Sequence, residues 1–396
     1  KYGIIKENLC CEWVMCLKIT VIGGGNVGTL ISAQFSNKGH QVTLYTRNTT
    51  KWHNELIVFD NDSNTKITSY LYKITDNLSE SVKDSELIIV TLPAFALQNL
   101  LAKLIKENIS DKILCFYPGT GGGEILAQTL LDNNVVICGV QRICSVARLD
   151  EYGHLVHTTG KRKKIYVGCI PKSEGGRVCK ILGDIFDIET ELLPNYLNVT
   201  LTPSNPILHT SRLYSIFKDY NSKKSYDEPP LFYEEWNNES SEILIKCDNE
   251  LHNIISKLDE IDLSHIKPLL EHYESHDDIS LTNKIKSIRG FKGLTTPSIF
   301  ENGKYAPDLN SRYFTADFPY GLMIIKAFGI IANTKTPMID ELLKWYQSLI
   351  GKNYIDELGN LAIDSKELTL PQNYGIDSIE KVKKNYLKWE CELCKQ

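Results

Sequence analysis

The hydrophobic pattern near the start of the chain predicts a strand, a helix and a second strand in close succession. Residues 17–22 form an apolar run rich in β-branched side chains, which favours a buried strand. The next apolar residues recur at the spacing of one helical face, at Val27, Leu30, Ile31 and Phe35. Gly39 is suited to end this helix, and a second strand pattern follows at 41–47. The order strand, helix, strand is typical of a β-α-β unit.

The same alternation continues to about residue 190. A polar connection at 48–81, with a short sheet excursion at 66–74, leads to a continuous apolar run at 85–93 that ends in proline. Further strand patterns lie at 112–117, 135–140 and 164–167, and helical patterns lie at 96–105, from Glu124 onward and at 175–186. Strands alternating with helices predict an α/β domain with a doubly wound, mainly parallel sheet of the Rossmann type.

Strand signals largely vanish after residue 206, and helical periodicity dominates. One helical face is formed by Ile243, Leu244, Cys247, Leu251, Ile254, Ile255 and Leu258. Other helices are predicted near 266–273, 281–288, 319–332, 338–350 and 376–389. We therefore predict four regions: a peripheral extension at 1–16, a dinucleotide-binding domain at 17–190, a proline-marked linker at 191–206, and an all-helical substrate and catalytic domain at 207–396.

Composition and charge narrow the classes of function. The chain has 396 residues, of which 42% are hydrophobic and 23% charged, as in a globular protein of two domains. The 44 basic and 49 acidic residues give a net charge of −5, so no basic excess indicates nucleic acid or an anionic membrane as a partner. The longest apolar stretch, 87–105, contains proline and polar residues that disfavour a membrane span, and no signal-peptide pattern precedes the first strand.

The eleven cysteines are scattered along the chain. In the absence of an export signal they indicate free thiols in a reducing compartment, and we expect a cytoplasmic protein. Cys391 and Cys394 have C-x-x-C spacing, but a structural zinc site needs four ligands and no second pair is evident. We therefore predict no metal site.

Three glycines lie in the turn between the first strand and the first helix. Gly23, Gly25 and Gly28 have the G-x-G-x-x-G spacing that permits a tight turn, close approach of the backbone to a pyrophosphate, and close packing of helix on strand. The alternative is a turn with a structural role only. Because the turn stands between a strand and a helix, dinucleotide binding is favoured, with Asn26 and Val27 at the helix N-terminus beside the phosphates.

Three other residues are predicted to bind the cofactor. Leu92 and Pro93 follow the strand that ends near Val90, at the sheet edge where ligands bind in open α/β folds. Arg47 ends the second strand, where a protein that binds NAD usually has an acid for the ribose 2′-hydroxyl, and the next acid is Glu55. Arg47 can pair with a 2′-phosphate or stack on adenine. We predict NADP as the preferred cofactor and NAD as the alternative.

A nicotinamide dehydrogenase also needs an acid–base group and a cation for the substrate carboxylate. Asn205 as N-cap, followed by proline, predicts a helix with His209 in its first turn. Further along, Arg312 precedes Asp317 by five residues. In a functional interpretation Asp317 orients His209 and Arg312 clamps a carboxylate. In the alternative these residues are a buried histidine, a helix cap and a surface cation.

These motifs together resemble the octopine/nopaline (opine) dehydrogenase family, from residue 17 to about 354. The segments that carry the resemblance are the glycine loop, 92–95, 205–209, 230–233, 248–250 and 312–321. Members of this family join an amino acid to a 2-oxo acid such as pyruvate by reducing an imine. The resemblance implies that His209 and Asp317 form the catalytic acid–base pair, and that Arg312 holds the carboxylate of the oxo acid.

The resemblance also implies a substrate site for two small molecules, to which we assign Asn205 and Gln141. In some family members the segment that corresponds to 141–148 begins with an acidic residue, where this chain has Gln141. Gln141 is neutral, which argues against an amino donor that carries a guanidinium group. A homodimer and a monomer are both compatible with a single helical domain.

Two other functions fit the same architecture. A reductase of the ketopantoate, 3-hydroxyacid or glycerol-3-phosphate type would use a lysine early in the helical domain. This chain has His209 there, and the nearest lysines, Lys218 and Lys223, lack that context. A non-catalytic NAD(P)-sensing protein would not require His209, Arg312 and Asp317 together. We therefore favour opine dehydrogenase chemistry.

Overall fold

The structure is a computed structural model that describes residues 16–220, 226–301 and 303–387. Most of the predicted extension, Lys223 and the pair Cys391 and Cys394 lie outside these residues. The strands are β1 Lys18–Ile22, β2 Gln41–Tyr45, β3 Glu55–Asp60, β4 Thr65–Tyr70, β5 Lys73–Thr75, β6 Leu87–Val90, β7 Ile113–Phe116, β8 Val136–Val140, β9 Val146–Glu151, β10 Leu155–Thr159, β11 Lys164–Ile170, β12 Glu189–Leu192, β13 Ser298–Glu301 and β14 Lys304–Pro307. 

The helices follow the same chain order. They are α1 Asn26–Asn37, α2 Leu78–Val82, α3 Leu97–Leu104, α4 Gly123–Ala127, α5 Gly175–Phe186, α6 Leu197–Thr200, α7 Ser204–Phe217, α8 Asn238–Ile255, α9 Leu269–His272, α10 Asp278–Ser287, α11 Arg312–Thr315, α12 Met323–Ile331, α13 Pro337–Ile350 and α14 Ile379–Leu387. A π-helical turn, Phe318–Leu322, leads directly into α12.

Eight strands form the central sheet, in the order β12-β11-β8-β7-β6-β1-β2-β5. Its pairs are parallel except that β11 runs antiparallel to β8. The central strands β6, β7 and β8 are fully buried, as expected for parallel strands covered on both faces. The predicted doubly wound α/β fold is therefore confirmed, and the carboxyl ends of β1, β6 and β7 lie side by side.

A second sheet of four strands, β4-β3-β10-β9, packs on α1. The sequence predicted only a short excursion at 66–74 and no strands at 146–159. The strands of this sheet have weak hydrophobic alternation because most of their side chains are exposed or half-buried. Its register is instead set by long-range pairing, such as that of β3 with β10, which a local pattern does not encode.

The segment predicted as a linker, 191–206, has regular structure. Its first two residues belong to β12, which pairs with β11, and its next part forms the buried helix α6. Tyr196 anchors this segment to the sheet, since its buried hydroxyl donates a 3.1 Å hydrogen bond to the carbonyl of Gly119. The division of the chain into two domains stays a prediction. The segment 191–206, placed at the boundary, is packed against the central sheet.

The second half of the chain is helical apart from the hairpin β13–β14, which the sequence did not predict. Helices α7 and α8 pack together, and α10 and α13 pack on α8. One hydrophobic core joins these helices to a face of the central sheet, because Ile22, Phe116 and Leu251 belong to the same cluster. The carboxyl edge of the sheet therefore faces the helical half directly.

Within the described residues, one helical stretch has the length and hydrophobicity of a membrane span. It runs from Arg312 to Ile331, and 72% of its most apolar window is buried inside the protein. The burial of this stretch is what a core helix requires, so its apolar composition is explained by packing.

Candidate active site

The glycine loop joins β1 to α1 and leaves one open backbone face. A Cβ at Gly28 would lie 1.8 Å from the carbonyl oxygen of Gly23, so the close packing of helix on strand requires glycine. Gly23 has a φ of +116°, which disfavours other residues. At Gly25 a Cβ would meet nothing within 4 Å. A pyrophosphate can therefore approach Gly25 and the unpaired N–H groups at the N-terminus of α1, so the loop fits a dinucleotide.

Asn26 and Val27, the first two residues of α1, differ in the groups that they can offer a cofactor. The side-chain oxygen of Asn26 accepts a 3.0 Å hydrogen bond from the backbone N–H of Leu149 in β9. This contact ties the glycine loop to the second sheet and leaves the backbone of Asn26 for a ligand. Val27 is half-buried in the first turn of α1, where its own N–H lacks a helical partner.

The end of β6 contacts the glycine loop. Leu92 is half-buried, with its Cδ2 3.0 Å from where a Cβ of Gly23 would be, and Pro93 is exposed beside it. The Thr91 hydroxyl lies 3.1 Å from the carbonyl oxygens of both Ile22 and Gly23 and donates to this pair. Thr91 holds the two strand ends together, a role that the sequence pattern did not reveal.

Arg47 lies exposed directly after β2, two residues beyond Tyr45. In the described part of the chain, the guanidinium group of Arg47 has no carboxylate within 4.0 Å. The first acid after β2, Glu55, accepts a hydrogen bond from Tyr70 and is near His154. A free cation therefore stands at the end of β2.

His209 and Asp317 form a direct pair in the helical half. The Nδ1 atom of His209 lies 2.7 Å from an Oδ2 oxygen of Asp317, and the side chains are 5% and 15% exposed. Asp317 precedes the π-helical turn, yet its side chain makes no capping hydrogen bond there. The carboxylate is thus directed to the histidine, which excludes the interpretation of Asp317 as a helix cap.

The other ring nitrogen of His209 contacts a tyrosine. Its Nε2 lies 2.9 Å from the hydroxyl of Tyr233, which is buried. Since the carboxylate of Asp317 accepts the Nδ1 proton, neutral His209 accepts the O–H of Tyr233 at Nε2. Burial raises the pKa of Tyr233 well above its ordinary value, so its hydroxyl stays protonated near neutral pH. The imidazole is therefore held in one tautomer and one orientation.

Arg312 belongs to the same cluster through an aromatic ring. Tyr313 stacks on the imidazole of His209 with ring centroids 4.2 Å apart, and the Arg312 guanidinium lies 5.7 Å from the centroid of Tyr313. Arg312 is exposed and, among the described residues, has no acidic partner. It is therefore free to bind a carboxylate close to His209.

Two comparisons identify the relatives of this arrangement. A family model described as the alpha-helical domain of NAD/NADP octopine/nopaline dehydrogenase matches residues 192–350, and a model described as ketopantoate reductase PanE/ApbA matches residues 19–172. The helical half of the chain therefore matches the octopine/nopaline dehydrogenase family. Together the two matches cover the glycine loop, His209, Arg312 and Asp317, and they confirm the resemblance predicted from the sequence.

Individual relatives of the octopine/nopaline dehydrogenase family match most of the chain. Tauropine dehydrogenase of Arabella iricolor is 26% identical over 92% of this chain and 99% of its own length. Octopine dehydrogenase of Pecten maximus is 26% identical over 93% and 99%. A solved octopine dehydrogenase with NADH and L-arginine superposes with a TM-score of 0.79 at 25% identity, covering 92% and 97% of the two chains. The protein is an opine dehydrogenase, an NAD(P)-dependent oxidoreductase that acts on CH–NH bonds.

The helix that carries His209 differs from its prediction at the start. Helix α7 begins at Ser204, its N-cap is Pro203, and no side chain caps it. Asn205 is therefore not the N-cap but an exposed residue of the first turn, and His209 lies in the second turn. The physical reason is that Ile207 N–H already donates to the Pro203 carbonyl at 3.2 Å, so the helix begins two residues earlier than predicted. A substrate contact by Asn205 stays a prediction.

Gln141 directly follows β8 and lies buried at the carboxyl edge of the sheet. Its amide donates to the carbonyls of Asn198 and His265 at 3.3 and 3.4 Å, and its oxygen accepts from Arg142 at 3.1 Å. These hydrogen bonds of Gln141 are therefore all formed with protein groups. It borders a cavity, as a substrate residue must, but a direct contact with substrate stays a prediction.

Two residues that hold His209 in place, Arg212 and Tyr233, were not identified as site residues from the sequence. Arg212 is buried and donates to the carbonyls of Phe232 at 2.8 Å and Glu235 at 2.7 Å, which fixes the loop that carries Tyr233. Burial lowers the pKa of Arg212 to about 10. Arg212 lies one helical turn after His209 in α7, a spacing to which no role was assigned. Tyr233 was part of a motif that carried the family resemblance, but it is 24 residues from His209, and only the fold brings these two residues together.

Proposed function

We propose that this opine dehydrogenase uses NADPH to condense an amino acid with a 2-oxo acid such as pyruvate, with His209 and Asp317 as its acid–base pair. The observation that carries this proposal is the buried 2.7 Å contact between the two side chains, which are 108 residues apart in the chain. A buried histidine oriented by a carboxylate is suited to moving one proton at its free nitrogen. Arg312, beside the same ring, is suited to hold the carboxylate of the oxo acid.

The reaction forms and then reduces a carbon–nitrogen bond. The neutral amine of the donor attacks the oxo carbon, water leaves, and an imine is formed. NADPH supplies a hydride to the imine carbon when it is bound at the glycine loop. The product is a secondary amine that carries both acid groups, so one hydride and one proton are consumed in the reduction.

His209 has two tasks in this scheme. Its Nε2, charged with a proton and stabilised by Asp317, donates to the oxo or imine group and makes that carbon more electrophilic. In the condensation it then takes a proton from the attacking amine nitrogen; in the reduction the donated proton stays on the product nitrogen, and His209 regains a proton from solvent. Because Nε2 also contacts Tyr233, the substrate either displaces this hydroxyl or receives the proton through it.

The preference for NADPH rests on Arg47. A 2′-phosphate is a dianion that a free guanidinium at the end of β2 can bind, whereas the 2′-hydroxyl of NADH is usually held by an acid at that place. Among relatives, octopine dehydrogenase has been solved with NADH and yersinopine dehydrogenase with NADP⁺, the latter at 11% identity.

The seven described cysteines are free thiols, which supports a cytoplasmic location.

The decisive experiment is NADPH oxidation with pyruvate alone and with pyruvate plus each member of an amino-acid panel, with product mass as readout. Dependence on the amine supports the proposal. Oxidation with the oxo acid alone would indicate simple ketoreduction, for which Lys218 is poorly placed because it is exposed and paired with Glu239. His209→Ala should lower turnover by roughly 10²- to 10⁴-fold, and near-normal turnover would contradict the assignment.

A further inference from the structure

A cavity of about 330 Å³ lies between the central sheet and the helical half. Its sheet side is formed by the end of β8 and the start of β11, which meet because these strands are antiparallel. Its helical side is formed by the segment that contains α9. Its lining includes Gln141, Arg142, Arg162, Tyr166, His265 and His272.

The charges that line this cavity do not balance. The lining lysines and glutamates are already in ion pairs: Lys164 with Glu189 and Glu191, Lys267 with Glu271, and Glu274 with Lys284. Arg142 and Arg162 line the sheet side of the cavity. Among the residues that the structure describes, neither guanidinium has a carboxylate within 4.0 Å. Two unpaired cations therefore face a space that contains no unpaired acid from those residues.

Arg142 is the more strongly desolvated of the two. Its Nε donates to the hydroxyl of Ser204 at 2.7 Å and its Nη1 to the side-chain oxygen of Gln141 at 3.1 Å, so its acceptors are neutral. Burial, followed by the nearby Arg162, lowers the pKa of Arg142 to about 10. A partly buried guanidinium is stabilised by an anion, and this one has none within the described protein.

His272 responds to the same positive field. Burial and the two arginines lower its pKa to about 4, so it is neutral near pH 7. A bound anion would relieve the repulsion between Arg142 and Arg162. A cationic ligand, by contrast, would meet two unpaired positive charges.

The cavity adjoins the catalytic cluster without including it. Ser204, which binds Arg142, is in the same helix as His209. Tyr273 is close to both regions: burial raises its pKa and the nearby Arg142 and Arg162 oppose that rise, while Tyr273 adds to the effect of burial in raising the pKa of Tyr233. Tyr273 thus lies within electrostatic range of both sites. A ligand group in the cavity can belong to the same molecule that presents its amine to His209.

We propose that this cavity binds a second acidic group on the amino donor, and that Arg142, assisted by Arg162, makes the enzyme select donors with an anionic side chain. This inference rests on the proposed function, because it names the donor class of that reaction. The oxo acid is assigned to Arg312 instead, because this cation lies beside the Tyr313 ring that stacks on His209. Donors of the aspartate and glutamate type have the required chemistry, with a carboxylate several bonds from the reacting amine.

Isosteric donors test the inference. L-glutamate and L-aspartate differ from L-glutamine and L-asparagine by charge at nearly constant shape. We expect the wild type to have a kcat/KM at least tenfold higher for each acid than for its amide. Arg142→Gln should lower kcat/KM for the acids by roughly 10- to 100-fold, the range for one lost charge-assisted partner, and change the amides less than about twofold. Lys163→Gln, which removes an exposed charge one residue from Arg162, is the matched control and should leave the ratio unchanged.

Equal use of acids and amides by the wild type would overturn the inference, as would an equal loss for both in Arg142→Gln. Calorimetric binding of L-glutamate and L-glutamine to the NADPH-loaded protein separates this inference from the proposed function. If turnover is absent but glutamate binds preferentially and only when Arg142 is present, the anion site stands and the proposed reaction fails. If turnover with amines occurs but no acid preference is found, the reaction stands and the anion site fails.

Discussion

The exchange of Asp317 for asparagine is the sharpest test of the proposed acid–base pair. The substitution keeps the shape of the side chain and removes its negative charge. The contact that it changes, 2.7 Å from Oδ2 to the Nδ1 of His209, is nearly inaccessible to water, with side chains 5% and 15% exposed. Water is therefore a poor substitute for the missing charge.

The expected magnitude has two parts. A hydrogen bond to a charged group contributes about 1.5–3 kcal/mol, which corresponds to roughly 10- to 150-fold in the stability of the imidazolium form. In addition, an asparagine amide can donate to Nδ1, which moves the proton of the neutral ring to Nε2 and reverses the hydrogen bond with Tyr233. Because both effects act on the same proton, we expect a loss in kcat of about 10²- to 10⁴-fold.

The assay is the initial rate of NADPH oxidation with both substrates saturating, together with thermal unfolding to verify the fold. Asp132→Asn is the matched control because Asp132 is exposed at the far end of the sheet, before β8. It should retain wild-type kcat. If Asp317→Asn keeps its fold and more than a third of the wild-type kcat, the assignment of this pair to proton transfer is refuted.

Three other outcomes are expected. Tyr233→Phe should lower kcat by about tenfold, from the loss of one hydrogen bond at Nε2, and equally from pH 6 to 9, because burial raises the pKa of this hydroxyl well above that range; a loss that varies with pH would contradict it. Arg47→Asp should lower kcat/KM with NADPH by at least tenfold and spare NADH, and a wild type equally efficient with NADH would refute the preference. The pKa of about 4 for His272 means that, between pH 6.5 and 4, the unfolded chain binds a proton that the folded chain does not. The free energy of unfolding should therefore decrease as the pH is lowered through that interval, and it should decrease less steeply in His272→Gln. Urea unfolding at pH 7 and at pH 5 measures this difference.

The parts of the fold that could be predicted from the sequence are those with a strong local signal. The strands β1, β6, β7 and β8 are buried on nearly all positions, so each one is a continuous apolar run. The second sheet could not be predicted in this way, since a strand such as β4 has one buried residue among six. Its existence depends on pairing partners that are 98 residues apart, as between Val58 of β3 and Val156 of β10.

The same distinction holds in the site. His209 and Asp317 have separate sequence signals, namely a proline-marked helix start and an arginine five residues upstream, but their contact is a property of the fold. The start of α7 was predicted two residues late because Pro203 provides the first helical acceptor without any capping side chain. A preference of residue type at helix ends yields only the approximate position of a boundary.

Arg142 and Arg212, both shielded from solvent, show most clearly what the sequence leaves open. In both cases burial lowers the pKa to about 10, and neither has a carboxylate hydrogen bond. Arg212 is surrounded by acceptors of the chain itself, the carbonyls of residues 231, 232 and 235 and a serine hydroxyl, which satisfies its guanidinium and gives it a positioning role. Arg142 has two neutral acceptors and an open cavity. What distinguishes a structural arginine from one that awaits a ligand is the number of acceptors that the folded chain supplies, and this number is a tertiary quantity.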